Sequence, residues 1–155
     1  MAVYAKDSSV EQIYKDLGKV EGKKEKLFET MKDVYMLALV LGAVNEDRRK
    51  LKKKSQDSIK EEIFGQENKR IMDFIALYFN KDINILNKSE ESEAFIHNLV
   101  EEYANGGIFV LDELINSEYD DLDNLIAGVK EYEKLDNEPK KIDFADLLFA
   151  IKNEK

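Results

Sequence analysis

Apolar residues return at helical spacing through most of the chain. Leu27, Met31, Val34, Ala38 and Leu41 repeat every three or four positions, and Phe28, Tyr35 and Leu39 widen the stripe, the mark of an amphipathic helix. From Met36 to Leu41 this segment is apolar on all sides, which places its second half in the middle of the domain. Gly42 and the polar residues after it are expected to end or loosen the helix. Upstream, Ser8 and Glu11 have the spacing of a capping box that opens a short helix through Ile13, Tyr14 and Leu17 toward Gly18. The charged run from Lys19 to Lys26 reads as a connector or a solvated helix entry.

Beyond Gly42 the pattern turns polar and basic, which predicts a loop or a frayed turn. Ser58 and Glu61 form a second capping-box pattern. Arg70 to Phe79 then carries Ile71, Phe74, Ile75 and Tyr78 on one face, with Met72, Leu77 and Phe79 extending it, and predicts a mostly buried helix. Between Lys81 and Lys88, Ile83 and Ile85 alternate as in a short strand. Glu90, Glu91 and Glu93 sit where a helix N-terminus favours acids, ahead of Ile96, Leu99, Val100 and Tyr103. Asn105, Gly106 and Gly107 are expected to interrupt this helix with a sharp turn, since glycine adopts the positive φ such a turn requires; a closely approached partner or ligand is the other use of such glycines. Ile108 to Leu111 fits a short strand, but Leu111, Leu114 and Ile115 favour a helix resuming after the break. Leu122, Leu125, Ile126 and Val129 define a further helix with Asp120, Asp121 and Asp123 in its first turn. Pro139 precedes a terminal helix capped by Asp143 and packed through Phe144, Leu147, Leu148 and Ile151.

These elements predict an all-α fold: an irregular bundle of six or seven helices in a single domain over residues 1–155, with at most a minor short strand pair. No internal repeat or Pro- or Ser-rich linker divides it. With 155 residues, 43% of them hydrophobic and fifteen of them Phe or Tyr, the chain can fill a core without staples. It has no cysteine, so disulfides, thiolate metal sites and cysteine nucleophiles are excluded, and a cytoplasmic location is expected. Met1 to Lys26 builds no signal-peptide apolar stretch, and Val34 to Val44 is far shorter than the roughly 20 residues that cross a bilayer. Neither secretion nor membrane insertion is expected.

Charge changes the picture at one place. The chain carries a net −9, yet Asn45 to Lys60 holds seven bases against three acids and so nets +4, leaving −13 for the rest. At its centre stand Arg48, Arg49, Lys50, Lys52, Lys53 and Lys54, six bases in seven positions. They repel one another unless something anionic lies nearby. A solvated loop, a dock for an acidic protein surface and a contact to nucleic-acid phosphates all fit; no aromatic is interleaved, so single-strand stacking is not suggested.

Covalent chemistry has little to work with. His97 is the only histidine, among the apolar neighbours Ala94, Phe95, Ile96, Leu99 and Val100, and reads as a structural or surface residue. No phosphate loop, dinucleotide fingerprint, H-E-x-x-H or EF-hand spacing occurs. The carboxylate clusters Glu101 with Glu102, Asp112 with Glu113, and Asp120, Asp121 and Asp123 read as solvated acidic faces or complements to helix dipoles, because one histidine cannot complete a di-metal bundle motif. No catalytic, cofactor-binding or metal-binding residue is assigned.

The stretch Phe28-Glu29-Thr30-Met31-Lys32-Asp33-Val34-Tyr35-Met36-Leu37-Ala38-Leu39-Val40-Leu41-Gly42, the polar segment with Arg48, Arg49 and Leu51, then Ile63-Phe64, the Ile75-Ala76 helix and Glu101-Glu102-Tyr103-Ala104-Asn105-Gly106-Gly107 follow one another in a familiar order. Over roughly residues 28–115 the chain resembles a family of small accessory proteins found beside DNA phosphorothioate-modification and related anti-phage restriction loci. The resemblance is one of pattern, and the Lys-rich run after Arg49 departs from it and inherits no role. It implies a bacterial defence assembly in which the chain is a non-enzymatic adaptor or regulator. The partner would be a larger effector, such as a DNA-translocating or cleaving subunit. A DNA-binding regulator using the basic loop is the alternative. No cofactor and no small-molecule substrate are expected.

Overall fold

The computed structural model describes residues 2–18 and 28–116, together with the helical residues Ile126 and Lys130. Within them the order is strand β1 (Val3–Tyr4), a 3₁₀ turn at Ser8–Val10, helix α1 (Glu11–Gly18), α2 (Met31–Val44), strand β2 (Ile59–Lys60), a 3₁₀ turn at Glu61–Ile63, α3 (Gln66–Asn80), a 3₁₀ turn at Ile83–Leu86 and α4 (Glu90–Ile115). The fold is mainly helical, with one minor sheet. Four α-helices are delimited among the described residues, which do not extend far enough to count the six or seven expected. The helices expected around Leu122 to Val129 and Phe144 to Ile151 lie outside the described residues, except for Ile126 and Lys130.

Helix α2 begins where Thr30 and Asp33 cap each other, the Thr30 hydroxyl accepting the Asp33 N–H and the Asp33 carboxylate accepting the Thr30 N–H. Its all-round apolar half is buried as expected: Val34, Ala38 and Leu39 have no exposure at all. Its main packing partner is α4. Gly42 does not end the helix, which continues to Val44; it lies inside, where the backbone of α4 comes closest. A Cβ on Gly42 would sit 1.9 Å from the carbonyl oxygen of Tyr103.

The turn expected at Asn105, Gly106 and Gly107 is corrected for the same reason. All three are helical residues in the middle of the unbroken 26-residue α4. Two glycines in a helix cost about 1 kcal/mol each against alanine, but here they remove side chains where another backbone must pass. A Cβ on Gly107 would meet the Ala38 carbonyl oxygen at 1.6 Å, and one on Gly106 would meet the Asp47 carbonyl oxygen at 1.8 Å. The residues that read as a break are the seat of α2 and of the loop that follows it.

Smaller differences have local causes. Asp7, not Ser8, caps the entry to α1, its carboxylate accepting from the Ser9 N–H at 2.9 Å. Ser58 and Glu61 open no α-helix, only the 3₁₀ turn at Glu61–Ile63 with Lys60 at its cap position, since Ile59 and Lys60 pair with Val3 and Tyr4 in the antiparallel register Tyr4↔Ile59, Val3↔Lys60. This is the strand pair, and Ile83 and Ile85 instead belong to a 3₁₀ turn capped by Asp82. On α3 the buried face is Met72, Ile75 and Ala76, while Tyr78 is exposed. The acids at Glu90, Glu91 and Glu93 do occupy the first turn of α4, behind the N-cap Ser89.

Candidate functional site

The basic run lies in the segment between α2 and β2, and this segment is fastened along both sides. Toward the N-terminus it runs antiparallel to residues 6–8: Ser55 donates its N–H to the Lys6 carbonyl at 2.8 Å and Ser8 donates to the Lys53 carbonyl at 2.8 Å. The Asp7 carboxylate accepts the N–H groups of Lys52 and Lys53 as well as that of Ser9. Burial pushes this carboxyl up, but the bonds from Ser9, Lys53 and Lys52 outweigh it and bring the pKa down to about 2. Toward α4, Arg49 donates its N–H to the Glu102 carbonyl at 3.0 Å, and the Asn105 amide donates to the Arg49 carbonyl at 3.1 Å.

The six cations divide into two sets. Arg48 is bonded to the Glu102 carboxylate and lies against the Tyr103 ring. Arg49 grips Asp47 through two bonds of 2.8 and 2.9 Å and stacks over Phe109 at 4.4 Å. Lys54 reaches Glu101 at 2.9 Å. The acidic pair Glu101 and Glu102, read from the sequence as a solvated face, is thus the counter-charge of the basic run. Lys50, Lys52 and Lys53 are exposed and have no acidic partner among the described residues. They form a short cationic ridge on a backbone already held in place.

Glu101 is the hub beneath that ridge. Only 3% exposed, it accepts from the Ala5 N–H at 2.7 Å, from Lys54 and from His97 Nε2 at 3.1 Å. Burial raises its pKa, yet the hydrogen bonds from His97, Ala5 and Lys54 more than reverse this and hold it below the ordinary value. His97 is half-buried and its ring stacks on Tyr4 at 4.5 Å; because an ionised carboxylate only accepts, Nε2 carries the hydrogen in this pair. Lys6, which no sequence pattern singled out, is 2% exposed, with its ammonium 3.2 Å from Asp57 and over the Tyr14 ring. Its partner lies in a segment that only the fold brings beside it.

The remaining acids do not converge. Asp112 accepts from the side-chain amide of Asn116, the C-cap of the same helix, and Asp120, Asp121 and Asp123 lie outside the described residues. Among the described residues no three acidic or imidazole groups are placed to hold a metal ion, and no helix is long and apolar enough to cross a membrane.

Since Asp7 fixes both the helix entry and the ridge, Asp7→Ala is expected to cost about 1–3 kcal/mol, from a lost cap and unsatisfied N–H groups. Amide hydrogen exchange should accelerate at Lys52 and Lys53. Unchanged protection there would mean that the ridge is held by other bonds.

Residues 4–147 match the family described as DNA sulphur modification system-associated protein 4. No curated protein and no solved structure matches the chain.

Proposed function

Because the chain belongs to the family of DNA sulphur modification system-associated protein 4, we propose that it is a non-enzymatic accessory subunit of a bacterial, modification-linked anti-phage system, and that it binds a larger effector protein through the ridge of Lys50, Lys52 and Lys53. The observation that carries this reading is the division of the basic run. Three of its cations are neutralised by Asp47, Glu101 and Glu102, and the other three are displayed with no acidic partner among the described residues, on a backbone fixed by Asp7 and Asn105. A preformed charged patch orients an encounter and rejects like-charged surfaces, and it loses little entropy on docking. Arg48, Arg49 and Lys54 belong to the same loop but build it; they are supports rather than contacts.

An acidic protein surface suits this ridge better than duplex DNA. Three lysines neutralise about three phosphates, on a chain whose net charge is −9. Co-purification with the proteins of the modification system tests the reading. Lys50→Glu, Lys52→Glu and Lys53→Glu together are expected to weaken the captured complex by at least about tenfold at low ionic strength. Capture that survives the triple change undiminished would end this assignment. If instead the chain binds duplex DNA at low salt, with log K falling against log salt at a slope near about −2.7, and the triple variant loses that slope, the DNA-contacting alternative replaces it.

A further inference from the structure

A cleft of about 750 Å³ opens between β1, α3, the 3₁₀ turn at Ile83–Leu86 and the first two turns of α4, a volume in the range of sites that hold small groups specifically. None of its lining residues belongs to the basic run. Its wall is apolar along Met72, Ile85 and Ile96, and Tyr4 and His97, which stack on one another, contribute an aromatic surface. Asp73 of α3 also lines it. This carboxylate is half-buried and, unlike Glu101 or Asp7, has no hydrogen bond or ion pair among the described residues. Loss of solvent raises its pKa, and the nearby charges of Lys88 and Lys69 only partly oppose this.

A desolvated, unpartnered carboxylate is costly to a fold, and its place in the wall of an open cleft fits a role in binding. The sign of the missing group follows from the charges around it. Lys69 is already paired with Glu61 at 3.2 Å. Asp73, Glu90 and Glu93 then face Arg70 and Lys88, so the lining is left one negative charge in excess. A cation with an aliphatic stem uses all these features: methylenes against Met72, Ile85 and Ile96, the charged head at Asp73, and the aromatic surface of Tyr4 beside it.

We infer that this cleft receives a basic side chain, arginine or lysine, presented by a partner protein, with Asp73 as its counter-ion. The site is separate from the ridge, and it stands even if the ridge has no protein partner. The test is an NMR titration of the full chain with Nα-acetyl-arginine amide, followed at the resonances of Asp73, His97 and Tyr4. Saturable shifts at all three are expected, with Asp73→Asn weakening binding about tenfold or more and the exposed Glu113→Gln, outside the cleft, leaving it unchanged. Asp73→Asn removes a charge that has no partner among the described residues and is expected to fold, which its own spectrum checks directly. The uncharged isostere Nα-acetyl-citrulline amide should bind at least about tenfold more weakly. No saturable shift, equal binding of the citrulline compound, or shifts produced instead by inorganic phosphate would each overturn the inference. Tighter binding of free putrescine than of the arginine compound would do so too, by making the cleft a polyamine site rather than a side-chain dock.

Discussion

Gly107→Ala is expected to lower the unfolding free energy by about 2 kcal/mol or more, a fall in Tm of at least roughly 4–8 °C for a chain of this size. Two effects oppose each other. Alanine in place of glycine inside a helix gains up to about 1 kcal/mol in propensity. Against this, the new methyl would lie 1.6 Å from the Ala38 carbonyl oxygen, 2.4 Å from the Gly42 nitrogen and 2.6 Å from the Ala38 carbonyl carbon. All three are backbone atoms, so no rotamer change relieves the contact, and α2 and α4 must separate along the seam that holds the core. The cost of overpacking a rigid site, about 1–3 kcal/mol and occasionally more, belongs here at its upper end and outweighs the propensity gain. Gly65→Ala is the control: a Cβ there meets nothing within 4 Å, and the change at this N-cap should cost less than about 1 kcal/mol. Denaturant or thermal unfolding decides the matter. A Gly107→Ala protein as stable as the wild type would show that the two helices have room to spare.

The same glycines show where a sequence stops being informative about a fold. A helical period is local, so α2, α3 and the first half of α4 are legible in the spacing of Val34, Ala38, Ile75, Leu99 and Val100. The reason for Gly106 and Gly107 is not local. It lies in the backbones of Ala38 and Asp47, and without them a glycine pair after Asn105 has the ordinary meaning of a turn. The strand pair was hidden for a related reason, since β1 and β2 have two residues each and draw their order from a pairing across the chain.

Charge was legible in kind but not in pairing. The basic run and the carboxylates Glu101 and Glu102 are each conspicuous, and only the fold reveals that they answer each other across the loop and α4. Asp73 carries no signal at all in the sequence, one acid among the polar positions of an amphipathic helix. Its place in the wall of a cleft, with no partner among the described residues, exists only once α3, β1 and α4 enclose it.

Glu101→Ala is expected to cost about 3–5 kcal/mol at neutral pH, the usual penalty for removing one member of a buried charged network. Lys54 is a minor part of this. Its side chain is 62% exposed, and a pair so open to solvent contributes under about 1 kcal/mol. Most of the loss comes from the Ala5 N–H, left without its acceptor beside β1, and from His97, whose ring loses the carboxylate that orients it against Tyr4. Glu101→Gln keeps an acceptor for Ala5 but removes the charge, and should cost about 1–3 kcal/mol. Its deficit should also depend on pH in a definite direction. The folded-state pKa of Glu101 lies below the ordinary 4.5, so folding favours the ionised form. That stabilisation is complete above the ordinary value and is lost as pH falls through the lower, folded value. The gap between wild type and Glu101→Gln should therefore be widest near neutrality and close at strongly acid pH. Hydrogen exchange at the Ala5 amide should quicken in Glu101→Ala and less so in Glu101→Gln. A gap that stays constant with pH would mean that Glu101 acts through its shape alone, and that the N-terminal strand, the ridge and α4 are not tied together by its charge.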